Sequence, residues 1–501
     1  MKSLFICASA ICALPLFAKI EMGAPFADGV VLQRGREVPV WGKAEPGHRV
    51  SVCFAGTKVS IVVAADGCWR VNLPAMDVST ENRTMMVVEA ENKRLGSTTD
   101  KIEVRNILVG EVWFASGQSN MNCPLWYGGS PRYRDGNGAL VTSMTHLPLV
   151  RFFKVPRAWS LEPKDIKVTW HEMTAENLAA MKFSAVGFYY ARELYLALQL
   201  PIGIVDASVG GTNIDAWTPR CGYEGCDPVI ADTAAFKLKQ DFDPDKDRVG
   251  PISKNLQQPT VLWNAMVDAF APMAIRGFIW YQGCHNSSEA NRYCAKLHAL
   301  YNGWSRRFEN PSLKLYLVSL APYRTSWMGI CEAQGRFVRE QPNAALAVTA
   351  DVGNFDDIHP NKKEIVAKRL AVHALKRDYG FAIKEDDSPI VKTVAFGDGK
   401  ATISFDHATA FYVYSPDRSH NAAFELAGGD GVWHPAKVLN YEPTTDKQGN
   451  PIIGYDIRGS QIILQSEKVP SPAKVRYLGA PRTAGTVYNQ ASLPLGAFEM
   501  R

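Results

Sequence analysis

The sequence predicts an α/β fold in which a parallel sheet is flanked by N-terminal and C-terminal β-sandwich-like domains. Three observations lead there. The middle of the chain alternates apolar strand-like runs with helix-period segments. The chain before and after it holds only short β-textured segments punctuated by turns. And 501 residues exceed the roughly 250–300 at which a single core stops growing.

In chain order, residues 1–18 read as a leader. Lys2 supplies a positive start, Leu4 to Phe17 is almost wholly apolar, and Ala18 suits a cleavage point. The expectation is an exported protein, periplasmic or extracellular. Residues 19–105 form the first β-domain, with strands at Val38 to Trp41, Arg49 to Phe54 and Met85 to Glu89 between turns at Pro46-Gly47 and Asp66-Gly67. Residues 106–385 are the α/β domain. Its strand-like runs are Ile107 to Ala115, Pro201 to Ala207, Ile275 to Gln282, Leu313 to Leu320 and Ala344 to Ala350. One helix carries Phe188, Ala191, Tyr195 and Leu198 on a face; the last carries Ile365, Leu370 and Val372 beside Lys362, Lys363 and Lys368, read as exposed. The polar stretch Lys237 to Gln258 reads as a surface excursion. Residues 386–501 return to β-texture at Lys400 to Phe405, Phe411 to Tyr414, Ile462 to Gln465 and Lys474 to Tyr477.

Composition narrows the function. Hydrophobic content of 46%, charged content of 21% and a net charge of +5 suit an ordinary globular protein. No Lys/Arg run marks a nucleic-acid groove, and no second apolar stretch is long enough to span a membrane. Eight cysteines follow the leader. An oxidising compartment permits Cys221–Cys226 or Cys53–Cys68 bridges, and buried free thiols are the equal alternative.

Parallel sheets place ligands at the carboxyl ends of their strands. Four loops there hold the chemistry. Ser116-Gly117-Gln118-Ser119-Asn120-Met121 presents a serine on a tight turn, as a nucleophile needs, although a helix cap reads similarly. Ser208-Val209-Gly210-Gly211-Thr212 offers glycine N–H groups to an oxyanion. Trp280-Tyr281-Gln282-Gly283-Cys284-His285-Asn286 offers the side-chain amides of Gln282 and Asn286 as further donors. In Asp356-Asp357-Ile358-His359-Pro360, His359 is the candidate base, oriented by Asp357 or Asp356, with Pro360 suited to a first helical position.

On these residues the chain resembles the sialate O-acetylesterase branch of the SGNH hydrolases. The resemblance runs through Val31-Leu32-Gln33-Arg34, Trp41-Gly42, Gly117 to Met121, Gly210-Gly211-Thr212 with Ala216-Trp217, Ile279 to Gly283 with Asn286, Asp357 to Pro360, Val475-Arg476-Tyr477 and Leu493-Pro494. It implies a flavodoxin-like sheet, Ser119 as nucleophile, and His359 as general base and then acid. Backbone donors come from Ser119 and Gly211, with an amide donor from Gln282 or Asn286. It also implies an O-acetylated sugar as substrate, sialic acid first, and neither metal nor organic cofactor. One departure stands out: relatives usually carry Glu followed by Ser or Thr where this chain has Cys284-His285, which implies either that Asp357, favoured over Asp356, orients His359 alone or that the enzyme is weakened or retuned.

Four other readings compete. Acetylated xylan is the second substrate, and a non-catalytic carbohydrate binder is the alternative of another class. Cys284 with His285 makes a poor nucleophile–base pair, because neighbours on an extended segment point apart. A metal site from Cys284, His285, Cys294 and His298 has suitable residue types but lacks paired Cys-x-x-Cys spacing.

Overall fold

The computed structural model describes residues 19–90, 100–127, 130–131, 145–227, 230, 257–415, 423–445 and 451–501. The expected leader and nearly all of the expected surface excursion lie outside the described residues.

The architecture is mixed α/β: one large mixed sheet with further β-sheets before and after it. The N-terminal strands are β1 (Val31–Gln33), β2 (Val38–Lys43), β3 (Arg49–Phe54), β4 (Thr57–Val62), β5 (Cys68–Leu73) and β6 (Ser79–Ala90). They lead into β7 (Asp100–Gly117), an 18-residue strand that does two jobs. Its first part pairs antiparallel with β6, and Leu108–Gly110 pair parallel with β1. Its second part, from Leu108 to Gly117, is continuously buried, as a strand covered on both faces must be. The strand therefore runs unbroken across the expected 105/106 boundary.

Around β7 lie β8 (Leu147–Lys154), β9 (His171–Met173), β10 (Ile202–Ser208), β11 (Gly277–Tyr281), β12 (Lys314–Val318) and β13 (Ala344–Ala347). Their order is β9-β8-β10-β7-β11-β12-β13. All run parallel except the edge strand β9. Helices α1 (Ser119–Asn122), α2 (Ala185–Leu198), α3 (Ala290–Arg307), α4 (Met328–Glu340) and α5 (Lys363–Arg377) complete the layer. Helix α2 packs with α5, and α3 with α4. Neighbours on β7 point to opposite faces: Trp113 meets Tyr190 of α2, while Phe114 meets Trp304 of α3.

One apolar core joins the N-terminal strands to this α/β layer, and a second fills the C-terminal region. That region, from Ile390 to Met500, holds three four-stranded antiparallel sheets. The sequence did not suggest β8 and β9, and it placed the start of α5 three residues too early. The helix begins at Lys363, so Pro360 sits buried in the preceding loop and not at a first helical position. Lys363, read as exposed, is fully buried and turned toward the sheet. All eight described cysteines are free thiols. Cys53 and Cys68 stand on β3 and β5, strands of different sheets, which disposes of that bridge as an intra-sheet staple.

At the foot of the sheet Glu111 is fully buried and accepts four hydrogen bonds from two arginines and an amide. Arg34 Nε donates to Oε1 at 2.7 Å, Arg276 donates to both oxygens at 2.9 Å, and Gln33 Nε2 donates to Oε2 at 3.0 Å. Burial alone would push this carboxyl up; the arginines and Gln33 outweigh it and hold it below the usual carboxylate range. A carboxyl lowered in the folded state stabilises above its unfolded pKa, and that stability is lost as pH falls through the lowered value. Glu111→Ala should thus cost about 2–3 kcal/mol at neutral pH by removing the shared partner of two partly buried arginines, with a deficit that shrinks on acidification. Urea denaturation at two pH values checks this, and an unchanged midpoint would show that the cluster is dispensable.

Candidate active site

The second half of β7 ends at Gly117, whose φ of +133° few side-chain-bearing residues adopt. A Cβ there would lie 2.4 Å from the Tyr281 carbonyl oxygen, so only glycine lets β7 turn this close to β11. The turn delivers Ser119 as the first residue of α1, half-buried, at the carboxyl end of the central strand.

His359 arrives from the loop after β13, 240 residues later, and its Nε2 stands 2.8 Å from Ser119 Oγ. The two loops are tied by the residue next to the serine. Asn120 Nδ2 donates to the Ile358 carbonyl at 3.0 Å, and Asn120 Oδ1 accepts from Lys363 Nζ. Asn120 and Lys363 are both buried. One amide thus grips the backbone beside the imidazole and the first residue of α5. A buried, hydrogen-bonded lysine is costly to place, and here it fixes the base of the histidine loop.

Of the two candidate orienting carboxylates, Asp357 faces His359. Its Oδ1 accepts from the His359 backbone N–H at 2.8 Å and lies 3.6 Å from Nδ1. Asp356 turns away and pairs with Arg482 at 3.0 Å. The second loop also reaches the serine: a Cβ on Gly210 would come 3.3 Å from Ser119 Cβ, and Gly211 holds a φ of +72°. Among the described residues, none accepts from the backbone N–H of Ser119 or Gly211.

The expected amide donors are placed differently. Gln282 is fully buried and donates both of its hydrogens inward, to the Thr212 carbonyl at 3.0 Å and to Asn286 Oδ1 at 2.7 Å. Asn286, equally buried, donates to Glu289 at 2.9 Å and accepts from the Ile214 N–H at 3.1 Å. Both Gln282 hydrogens and one Asn286 hydrogen are thus engaged within this network, and the two amides brace the glycine loop. The bracing continues through Lys296, which bonds Glu289 at 3.0 Å and Asp215 at 2.7 Å.

Cys284 does not replace a carboxylate in function. Burial pushes its thiol up to about 12, with Cys331 adding to the shift, so it stays protonated and unreactive. His285 is exposed. Asn120, Lys363, Asp215 and Lys296 were the residues missed by sequence reasoning. For Asn120 a signal existed in its place directly after the serine of the motif. For Lys363 there was none, because lysine at a helix start ordinarily faces solvent.

Comparison with known proteins follows the same lines. Residues 109–376, just over half of the chain, match the profile of a carbohydrate esterase, sialic acid-specific acetylesterase. The mouse sialate O-acetylesterase is 27% identical over 459 residues, covering 81% of this chain and 82% of that protein. The human sialate O-acetylesterase is 27% identical over 420 residues, covering 77% and 76%. Among solved structures, a carbohydrate acetylesterase from Xanthomonas citri superposes with a TM-score of 0.77 and 28% identity, covering 96% of this chain and 99% of that one.

The Asn120 tie makes a direct prediction. Asn120→Ala should slow fluorophosphonate labelling of Ser119 by roughly tenfold or more, because the imidazole loop is no longer held in register. It should also lose about 1–3 kcal/mol of stability as buried groups lose a partner. Mass-spectrometric labelling kinetics give the first quantity; an unaltered rate would show that the tie does not position the pair.

Proposed function

We propose, from the premise that this chain belongs to the carbohydrate esterase family of sialic acid-specific acetylesterases, that Ser119 and His359 remove O-acetyl groups from sialic acids through an acyl-enzyme. That the chain is an esterase follows from the family. The residue roles and the carrier sugar are the proposal, and the observation that carries it is the 2.8 Å contact between Ser119 Oγ and His359 Nε2.

Neutral His359 accepts the serine proton as Oγ attacks the acetyl carbonyl. The carbonyl oxygen becomes negative and is met by the backbone N–H groups of Ser119 and Gly211. His359 then returns the proton to the departing sugar hydroxyl. Water, deprotonated by the same imidazole, attacks the acetyl-serine and releases acetate. Asp357, beside Nδ1, favours the imidazolium formed at each attack. The position of Ser119 also fits: β10, β7, β11, β12 and β13 follow the flavodoxin-like order 2-1-3-4-5, and Ser119 sits at the switch point where such sheets bind ligands.

Sialic acid is favoured as carrier because the curated relatives are named sialate O-acetylesterases. Acetylated plant polysaccharide is the second reading, supported by the broader name of the Xanthomonas citri enzyme. The leader-like residues 1–18 support a reaction in the periplasm or outside the cell.

Purified protein offered O-acetylated sialic acids and acetyl-xylan side by side should release acetate faster from the sialic acids; the opposite preference would move the reading to the polysaccharide. Ser119→Ala should lower aryl-acetate hydrolysis by at least about a thousandfold without unfolding the protein. A variant that keeps its turnover would exclude this nucleophile. Turnover of the unaltered protein should fall between about pH 8 and about pH 5 as the base becomes protonated. A flat profile, with chemistry limiting, would contradict a histidine base.

A further inference from the structure

Away from the serine, helices α3 and α4 bring three metal-type donors together. Cys294 and His298 are four residues apart on α3 and share one face of it. Glu340, the last residue of α4, reaches both: its Oε2 lies 3.5 Å from Cys294 Sγ and 2.8 Å from His298 Nε2. The three donor atoms all lie within 4.8 Å of one another. The His298 ring is set edge-on against Phe337 at 4.8 Å between centroids, which limits its rotation.

We propose that Cys294, His298 and Glu340 form a binding site for a zinc-class transition-metal ion, with solvent in the fourth position. A tetrahedral ion with thiolate, imidazole and carboxylate bonds of about 2.0–2.3 Å separates its donors by about 3.3–3.7 Å. The sulfur–oxygen spacing already has this value, and the nitrogen–oxygen pair needs to open by roughly half an ångström. Thiolate and carboxylate together balance a divalent charge, and soft sulfur with imidazole selects zinc over magnesium or calcium. Binding releases the thiol proton to solvent. Cys294 is buried, whereas His298 and Glu340 are partly exposed at 30% and 48% of their side chains, so an ion has a path in and a water has room to stay. Arg336 contacts the same thiol and lies 3.6 Å from Glu340 Oε1. Its side chain is 55% exposed, so it can withdraw into solvent as the ion enters.

The position indicates a structural role. Glu340 lies twelve residues along α4 from Met328, about 18 Å from the helix end that follows β12 toward the serine's rim. An ion there would staple α3 to α4, the two helices covering β11 and β12 on one face, without entering the reaction.

The test uses the full chain, reduced and stripped with chelator, and titrated with Co²⁺ and then Zn²⁺. The expected result is one equivalent bound, a thiolate-to-Co²⁺ charge-transfer absorption that Zn²⁺ displaces, and a melting temperature raised by about 2 °C or more with Zn²⁺. Cys294→Ser should abolish the absorption, and His298→Gln and Glu340→Gln should each weaken binding at least tenfold. Aryl-acetate turnover should stay unchanged in all three, which also shows that they fold. No saturable binding by the unaltered chain, or equal binding by Cys294→Ser, would overturn the assignment.

Discussion

Everything in the site depends on a contact between two side chains that the chain itself keeps 240 residues apart. Ser119 Oγ and His359 Nε2 meet at 2.8 Å. Neither loop would hold that spacing alone, because loops at strand ends have few contacts of their own. The constraint is met by Asn120, which takes the Ile358 carbonyl with one end of its amide and Lys363 with the other. The residue beside Ser119 therefore holds the residue beside His359, and α5 anchors both. Asp357 completes the arrangement by gripping the His359 backbone N–H while facing its ring.

The sheet decides where this contact can form. β7 lies between β10 and β11, and the loops that follow these three strands bring Ser119, Gly210 and Gln282 to the same end of the sheet. Burial over the whole second half of β7 makes that end rigid. The Glu111 cluster ties the foot of the same strand to Arg34 and Arg276, from segments before and after it in the chain. A single strand thus links the N-terminal β-layer, the main core and the serine. The glycine loop is held in turn by Gln282 and Asn286, whose amides are engaged in bracing.

Much of this was legible in the sequence, for physical reasons that can be named. Continuous apolar runs bounded by turns gave away five of the parallel strands, and strand-end logic picked out all the loops that converge. Ser119, His359 and Asp357 lie together as their motifs suggested. The errors came where a side chain's partner is distant in the chain. Lysine at a helix start reads as solvated, yet Lys363 turns inward because Asn120 is there to receive it. Gln282 and Asn286 read as donors to a ligand, yet Gln282 donates to the Thr212 carbonyl and Asn286 accepts from the Ile214 N–H, both supplied by an earlier segment. Pro360 reads as a helix start, but the extra turn of loop is what lets Ile358 reach Asn120. Residue type announces a capacity to bond; only the fold names the partner.

The account is tested most directly by stopping the reaction at its covalent midpoint. Protein mixed with an aryl acetate, quenched in acid within the first turnover and digested, should carry the acetyl group on the peptide containing Ser119, and His359→Ala should carry none. Acetyl found instead on Cys284 or another side chain, or hydrolysis proceeding with no acetylated peptide while chemistry is faster than deacylation, would contradict it.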